Sequence, residues 1–293
     1  MATSPSSRER VPTMGASSVQ RSSTEQHDGR LPGVSGNGTF RNRLLAALSA
    51  DERTLLEPQL EHVTLDRRAL LYDPERPIQH VYFLENGIAS ILSVMLDGGG
   101  IETGTIGPEG MIGLPVFHGM DRVAEQAMMQ VGGTGHRVPA ERFQELAPKL
   151  PTLSALLHRF SVYMFTFAAQ NSGCNRKHSV DERCAKWLLT VHDRMETDRF
   201  ELTHDFISQM LGVRRASVTV ALGGFERAGL IRATRSQITV ANRTGLEGVA
   251  CECYGVVRAA LERALGRPTL SILSELPLSR DGHSTLGDGT PDL

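Results

Sequence analysis

The 293-residue sequence has little aromatic character, with one Trp, four Tyr and ten Phe, and it has only four cysteines. Four cysteines in a chain of this length do not make a disulfide framework, so a reducing cytoplasm is the expected setting. No run of eighteen apolar residues occurs, which argues against a membrane-spanning helix and against a membrane partner. The N-terminal residues lack the apolar core of a secretory signal. There is no phosphate loop, no Gly-x-Ser-x-Gly elbow and no His-Glu-x-x-His pair. The sequence therefore offers no catalytic set, and the chain is not expected to be an enzyme. Glu109 and His118 lie near each other in sequence, but such a pair is too common to mark acid–base chemistry. The formal net charge is −2, so any positive charge used for binding must be concentrated locally.

It is concentrated between Arg199 and Arg243. That segment holds seven arginines (199, 214, 215, 227, 232, 235 and 243) against Glu201, Asp205 and Glu226. Inside it, Thr203 is a suitable N-cap, and Phe206, Ile207 and Leu211 follow at helical spacing. Gly212 stands where a helix must end in a left-handed residue, which glycine adopts without a Cβ clash. A second helix follows, with Val218, Leu222 and Phe225 on one face and Arg214, Arg215, Ser217 and Thr219 on the other. Gly229 ends it, and Leu230-Ile231 and Ile238–Val240 read as two short strands around a turn containing Arg235. Helix, glycine turn, helix and β-hairpin is the layout of a winged helix-turn-helix. Basic charge confined to this unit fits double-stranded DNA as its partner. Arg214, Arg215, Ser217, Thr219, Thr203 and Arg235 are the candidate DNA-binding residues.

Upstream, the pattern divides the chain. Residues 1–40 are rich in Ser, Gly, Arg and Pro and bury too little to offset their ordering entropy, so a disordered tail is expected. Leu44, Leu45, Leu48, Leu55, Leu56 and Leu60 predict two short helices, with a capping box at Ser49–Glu52. From His62 the period becomes that of strands: 62–65, 69–72, 81–84, 88–96, 103–106 and 127–131. Asn86-Gly87 predicts a hairpin between the third and fourth of these runs. Ile88, Leu92, Val94 and Leu96 share one face of the fourth, as in a half-buried strand. Residues 41–150 thus read as an antiparallel β-barrel domain with leading helices.

After Pro151 the period turns helical. Leu153, Leu157, Phe160, Met164, Phe167, Asn171 and Cys174 alternate steps of four and three, which predicts a dimer seam over residues 151–178. Leu156 and Tyr163 flank that seam, and the large Phe160 and Phe167 also suit packing on the barrel. Asn171 would fix the register, and Asn171–Asn175 reads as a hinge. A capping box at Ser179 and Glu182 opens a further helix leading into the DNA-binding unit, residues 179–265. One more helix is expected from about Leu246 to Leu265, and a loose tail over 266–293.

With the stretches VYFLENGIASILSV and LGVRRASVTVALGGFERAGLI in this order, the chain resembles the Crp/Fnr family of bacterial transcription regulators. The Tyr82-Phe83-Leu84 strand with Gly87 is similar to that family's barrel hairpin. The resemblance implies an α+β fold: a jelly-roll-like barrel of the cyclic-nucleotide-binding type, a long dimerisation helix and a C-terminal winged helix-turn-helix. It implies a homodimer on a two-fold symmetric operator, with RNA polymerase as a further partner. The alternative is a ligand-binding signalling module whose helix-turn-helix is only structural.

The family's cyclic-nucleotide cassette needs a Gly-Glu pair and, later, Arg-Ser or Arg-Thr. Here the corresponding positions are Gly113, Leu114, Arg122 and Val123. Leucine cannot accept a hydrogen bond from a ribose hydroxyl, so cyclic AMP is not expected to bind. An iron–sulfur cluster is not expected either, because the first cysteine is Cys174. His80, His118 and His136 are isolated, which argues against haem. Cys251-Glu-Cys253 is too tightly spaced for a zinc knuckle, and no metal is expected. Cys174 would meet its copy across a dimer axis, or stay an inert buried thiol.

Overall fold

The computed structural model describes residues 40–96, 99–234 and 236–266. Residues 1–39 and 267–293 of the two expected tails, Asp97-Gly98 and Arg235 lie outside the described residues, whereas Phe40, read as part of the first tail, is buried in the barrel core. Two small helices, α1 (Arg43–Ala46) and α2 (Ala50–Leu56), precede the strands β1 (Glu61–Leu65), β2 (Leu70–Tyr72), β3 (His80–Leu84), β4 (Ile88–Val94) and β5 (Gly100–Ile106). After α3 (Leu114–Phe117) come β6 (Glu125–Val131), β7 (Gly133–Pro139) and α4 (Ala140–Leu146). The strands form two antiparallel sheets, ordered β1-β7-β3 and β2-β6-β4-β5, around one apolar core that includes Phe83, Val138, Ile106 and Met129.

Asn86-Gly87 does not close a hairpin. β3 pairs with β7, whereas β4 pairs with β5 and β6, so the dipeptide is the corner where the chain changes sheet. Asn86 is held there by Thr134, whose N–H donates to Asn86 Oδ1 at 2.8 Å, and Gly87 has φ +82°. The turn residues are as expected, but their hydrogen bonds go to β7. The fourth run also divides its faces differently. Ala89 joins the barrel core, while Ile88 and Leu92 pack among Trp187, Phe206 and Leu211 further along the chain. Val94 and Leu96 are exposed.

The 27-residue helix α5 (Pro151–Lys177) starts under Glu52, whose Oε1 accepts from the backbone N–H of Thr152 at 2.6 Å. The same carboxylate completes the capping box with Ser49. α5 runs unbroken through Asn171–Asn175 and turns only at His178, whose backbone is extended, so the expected hinge is absent. A lone glycine costs a helix about 1 kcal/mol, too little to break one held on both sides by packing. The chain continues through α6 (Val180–His192), β8 (Arg199–Phe200), α7 (His204–Leu211), α8 (Arg215–Arg227), β9 (Ile231–Ala233) and β10 (Ile238–Val240). The last helical stretch is two helices, α9 (Arg243–Val249) and α10 (Cys253–Ala264), separated by an extended Ala250. Although 179–265 reads as one unit in sequence, α10 lies on α5, and its Val257, Ala260, Leu261 and Ala264 join the barrel core.

These contacts give α5 three distinct faces. Leu153, Leu157, Phe160 and Phe167 are buried against their own barrel, which corrects their reading as a dimer seam. Glycines in the barrel make room for them: a Cβ on Gly110 would meet Phe160 Cζ at 2.1 Å, and one on Gly104 would meet Met164 Cε at 2.7 Å. Burying an aromatic ring of this size stabilises by about 1.5–3 kcal/mol, so the richest apolar stripe goes to the largest apolar surface. Asn171 does not face a partner copy but bridges two domains, donating to Thr103 O at 3.2 Å and accepting from Lys186 Nζ at 2.5 Å. The flank that includes Leu156 and Tyr163 is also buried. The third face carries Ala155, His158, Val162, Phe165, Ala169 and Ser172, again in steps of three and four; His158, Val162, Phe165 and Ala169 are all exposed.

Candidate nucleic-acid interface

Thr203 Oγ1 caps α7 by accepting from Phe206 N–H at 3.2 Å. Phe206, Ile207, Met210 and Leu211 face the core, and α7 ends at Gly212 with φ +61°. α8 crosses it with Val218, Ala221, Leu222 and Phe225 buried. Both helices bury one apolar stripe in the same cluster, which leaves the outer side of α8 free. Arg214, Arg215, Ala216, Thr219 and Val220 are exposed there, and Ser217 is half-buried. Val220, 68 % exposed, adds an apolar side chain to this basic surface.

Two residues of α7 that the sequence did not single out complete this surface. Asp205 holds Arg215 Nε at 3.2 Å, and His204 Nδ1 lies 3.0 Å from Thr219 Oγ1. Both Asp205 and Arg215 are about two-thirds exposed, and such a pair contributes no more than about 1 kcal/mol. Arg215 can therefore leave Asp205 for a better acceptor. The position that could have drawn attention is the first turn of α7, directly after the Thr203 cap. Behind α8, β8, β10 and β9 form the wing sheet, with Glu226 Oε1 accepting from Ala233 N–H at 2.8 Å. Arg235 lies outside the described residues. Arg243 is no phosphate ligand: its guanidinium is turned inward to Asp193 at 2.6 Å and to Glu247 at 2.9 Å.

Hydrogen bonds join the interface to the barrel. Arg194, at the end of α6, meets Glu109 at 2.8 Å, with both side chains buried. Trp187 Nε1 donates to Glu102 Oε1 at 2.9 Å, and Arg183 donates to the Leu211 carbonyl. Burial pushes the Glu102 carboxyl above its usual range, against hydrogen bonds from Ser90, Thr105 and Trp187 that favour its ionised form. Ser90 Oγ lies 2.6 Å from Glu102 and 2.9 Å from Gln130 Oε1. One hydroxyl proton cannot serve both acceptors, but a protonated Glu102 can donate to Ser90 while Ser90 donates to Gln130.

Between the barrel and α5 lies an open cavity of about 240 Å³ whose lining includes Tyr72, Ile91, Thr103, Gly113, Leu114, Glu125 and Met164. Gly113 and Leu114 reach it as the cassette spacing predicts, but Arg122 and Val123 do not line it. Arg122 pairs with Asp121 at 3.1 Å on the surface, and Val123 packs on the barrel core. Glu125 is the charged side chain of the lining, so a phosphate there would face a carboxylate. The three histidines weighed as haem ligands, His80, His118 and His136, do not converge on one another. His80 lies over Tyr82, His118 bonds Ser161 at 2.7 Å, and His136 packs between Phe40 and His62. Cys174 turns not outward to a second copy but to Cys251 of its own chain, 3.6 Å away.

A jelly-roll-like barrel, a long helix along it and an exposed helix-turn-helix with a wing define a two-part architecture whose C-terminal part has the layout of a DNA-binding module. Residues 182–249 match the model of the Crp-like helix-turn-helix domain. No curated protein matches the chain in sequence. Among solved structures, a Crp/Fnr-family regulator from Eubacterium rectale superposes with a TM-score of 0.55 at 18 % identity, covering 69 % of this chain and 94 % of that one. FixK2 from Bradyrhizobium japonicum does so at 0.57 and 18 %, covering 66 % and 98 %. A Crp/Fnr-family transcriptional regulator from Thermus thermophilus gives 0.52 and 20 %, covering 65 % and 98 %. Residues 182–249 therefore carry a Crp-like helix-turn-helix domain, and the chain shares its fold with solved regulators of the Crp/Fnr family.

Proposed function

We propose that the protein acts in the cytoplasm as a homodimer on a two-fold symmetric operator, without cyclic AMP. The observation that carries this reading is the free heptad face of α5, where Val162 and Phe165 are 65 % and 75 % exposed. Apolar residues repeating at 3.5 per turn along a long helix are matched best by the same face of a second copy. Two copies of α8 related by that axis would meet two half-sites about one DNA turn apart. A helix-turn-helix with a purely structural role would have no reason to leave Arg214, Arg215 and Val220 uncovered together. Against cyclic AMP stand Leu114, which offers no ribose acceptor, the surface position of Arg122 and the carboxylate of Glu125. RNA polymerase as a further partner follows from the class of regulator.

Selection of DNA from a random pool by the purified full chain, with no nucleotide added, tests this. The expected product is an inverted repeat with half-sites about 10 bp apart, centre to centre. A single half-site, or binding that requires cyclic AMP, overturns the reading.

A further inference from the structure

Where α5 ends and α10 begins, Cys174, His178, Cys251 and Cys253 bring their sulfur and nitrogen atoms together, all within 4.8 Å of one another. The three cysteines are buried, and His178 is half-buried. Cys174 Sγ lies 3.6 Å from Cys251 Sγ, and Cys253 Sγ lies 3.5 Å from His178 Nδ1. One ion at about 2.3 Å from sulfur and about 2.0–2.1 Å from nitrogen has tetrahedral edges of about 3.8 Å (S···S) and about 3.6 Å (S···N). Both observed separations match those edges with little movement. We propose that these four residues are the ligands of a single zinc(II) ion that fastens the end of α5 to α10.

The surroundings fit a metal centre rather than a chance cluster of thiols. His178 Nε2 lies 3.2 Å from Glu252 Oε1, so the carboxylate can hold that nitrogen's proton and leave Nδ1 free to bind a metal. Gln170 Nε2 donates to Cys253 Sγ at 3.1 Å, as amides do to metal-bound sulfur. Lys186 is near enough for its charge to act on Cys174 and Cys251, which offsets part of the negative charge of three thiolates around a divalent ion. Soft thiolates with one imidazole in a closed tetrahedral set select zinc over calcium, magnesium or manganese. A multi-iron cluster binds its thiolates through different irons and would spread them wider than this set. The Cys251-x-Cys253 spacing does not describe a knuckle because the other two ligands come from the end of α5 and the residue just after it, more than seventy residues earlier in the chain. The centre sits beside the His178-Ser179 junction, where the chain leaves α5 for the DNA-binding module.

The test uses the full chain, purified under reducing conditions, with elemental analysis and cobalt(II) as a spectroscopic stand-in for zinc. About one zinc per chain is expected, and cobalt should give the intense visible bands of a tetrahedral thiolate site. Cys251→Ser and Cys253→Ser should lose those bands, whereas Cys184→Ser, a buried thiol outside the set, should keep them. Glu252→Gln leaves all four ligands in place and should weaken zinc about 10–100-fold in chelator competition. The wild-type chain keeps the test independent of variants that fail to fold. If the reduced wild-type chain takes up no cobalt, the site is wrong. A Cys174–Cys251 disulfide that persists under reductant would also overturn it, as would one equivalent of iron or copper in place of zinc.

Discussion

The carboxylate of Glu109, in the barrel, receives the guanidinium of Arg194 at 2.8 Å, and both side chains are shielded from water. Arg194 also donates to the Thr190 carbonyl and to Tyr163 Oη, while Glu109 accepts from Gly107 N–H at 3.1 Å. Each ion has further hydrogen-bond partners besides the other, which is the condition under which a buried pair holds. This joint links the barrel, α5 and the end of α6 at one point, so the helix-turn-helix module is seated on the barrel by charge as well as by apolar packing.

Removing one partner should therefore be costly. Arg194→Met leaves Glu109 buried without its counter-ion, and a loss of about 3–5 kcal/mol is expected in urea unfolding. Glu109→Gln with Arg194→Met should lose less than the sum of the two single changes, because neither charge is then stranded. Strict additivity would mean that the pair contributes nothing as a pair.

Glu102 predicts a pH dependence. Its folded carboxyl titrates above the ordinary range because burial dominates over the hydrogen bonds from Ser90, Thr105 and Trp187 and the Arg194 charge. The folded state then binds more protons than the unfolded chain, so stability from this residue rises as pH falls through the raised value. It levels off below the ordinary carboxylate range. Glu102→Gln, which carries an N–H donor at every pH, should melt above the wild type at pH 8, and that difference should shrink towards pH 5. A gap that stays constant across this range would show that Glu102 is ionised throughout.

The helix-turn-helix was legible in the sequence because its signals are local: Thr203 caps, Gly212 turns, and Phe206, Ile207, Val218 and Leu222 lie within one short stretch. Signals that depend on distant partners were not. Asn86-Gly87 marks a sharp turn, but only β7 decides that the turn joins two sheets. Two interleaved heptads run along α5, and the one with the larger side chains is the more conspicuous in sequence. Gly104 and Gly110 draw that stripe onto the barrel, and their role cannot be seen until the sheet is folded. Arg243 counted as surface charge because its buried acceptor, Asp193, lies fifty residues earlier. The Cys174 and Cys251 pair was hidden in the same way.

The two heptads can be told apart by substitution. Val162→Asp with Phe165→Asp puts four carboxylates into one dimer axis, two from each copy, and should give monomers by light scattering with the melting temperature of the isolated fold retained. Leu157→Asp instead places a charge in the chain's own core and should abolish folding. A Val162/Phe165 double variant that remains dimeric places the interface elsewhere.

The final prediction concerns how α8 reads sequence. Arg215, the first residue of α8, is exposed and is tethered to Asp205 at 3.2 Å. A planar guanidinium can bond O6 and N7 of one guanine together, which a weak surface pair with Asp205 does not prevent. Arg214 is the N-cap residue of α8, outside the helix proper, and is expected to meet a phosphate rather than a base edge. Val220 can offer only apolar contact, for example to a thymine methyl, and Ala216 adds no polar group. Arg215→Ala should cost about 1–3 kcal/mol at the selected operator and flatten preference at one base pair per half-site. Arg214→Ala should weaken operator and random DNA alike and lower the salt slope by about one unit for each phosphate no longer neutralised. Asp205→Asn supplies the control: it releases Arg215 and removes a negative charge beside the DNA, so affinity should rise on all sequences while the base preference stays. Fluorescence anisotropy across a salt series measures all three. If Arg215→Ala loses equally on operator and random DNA, the arginine binds the backbone and the base-reading role falls.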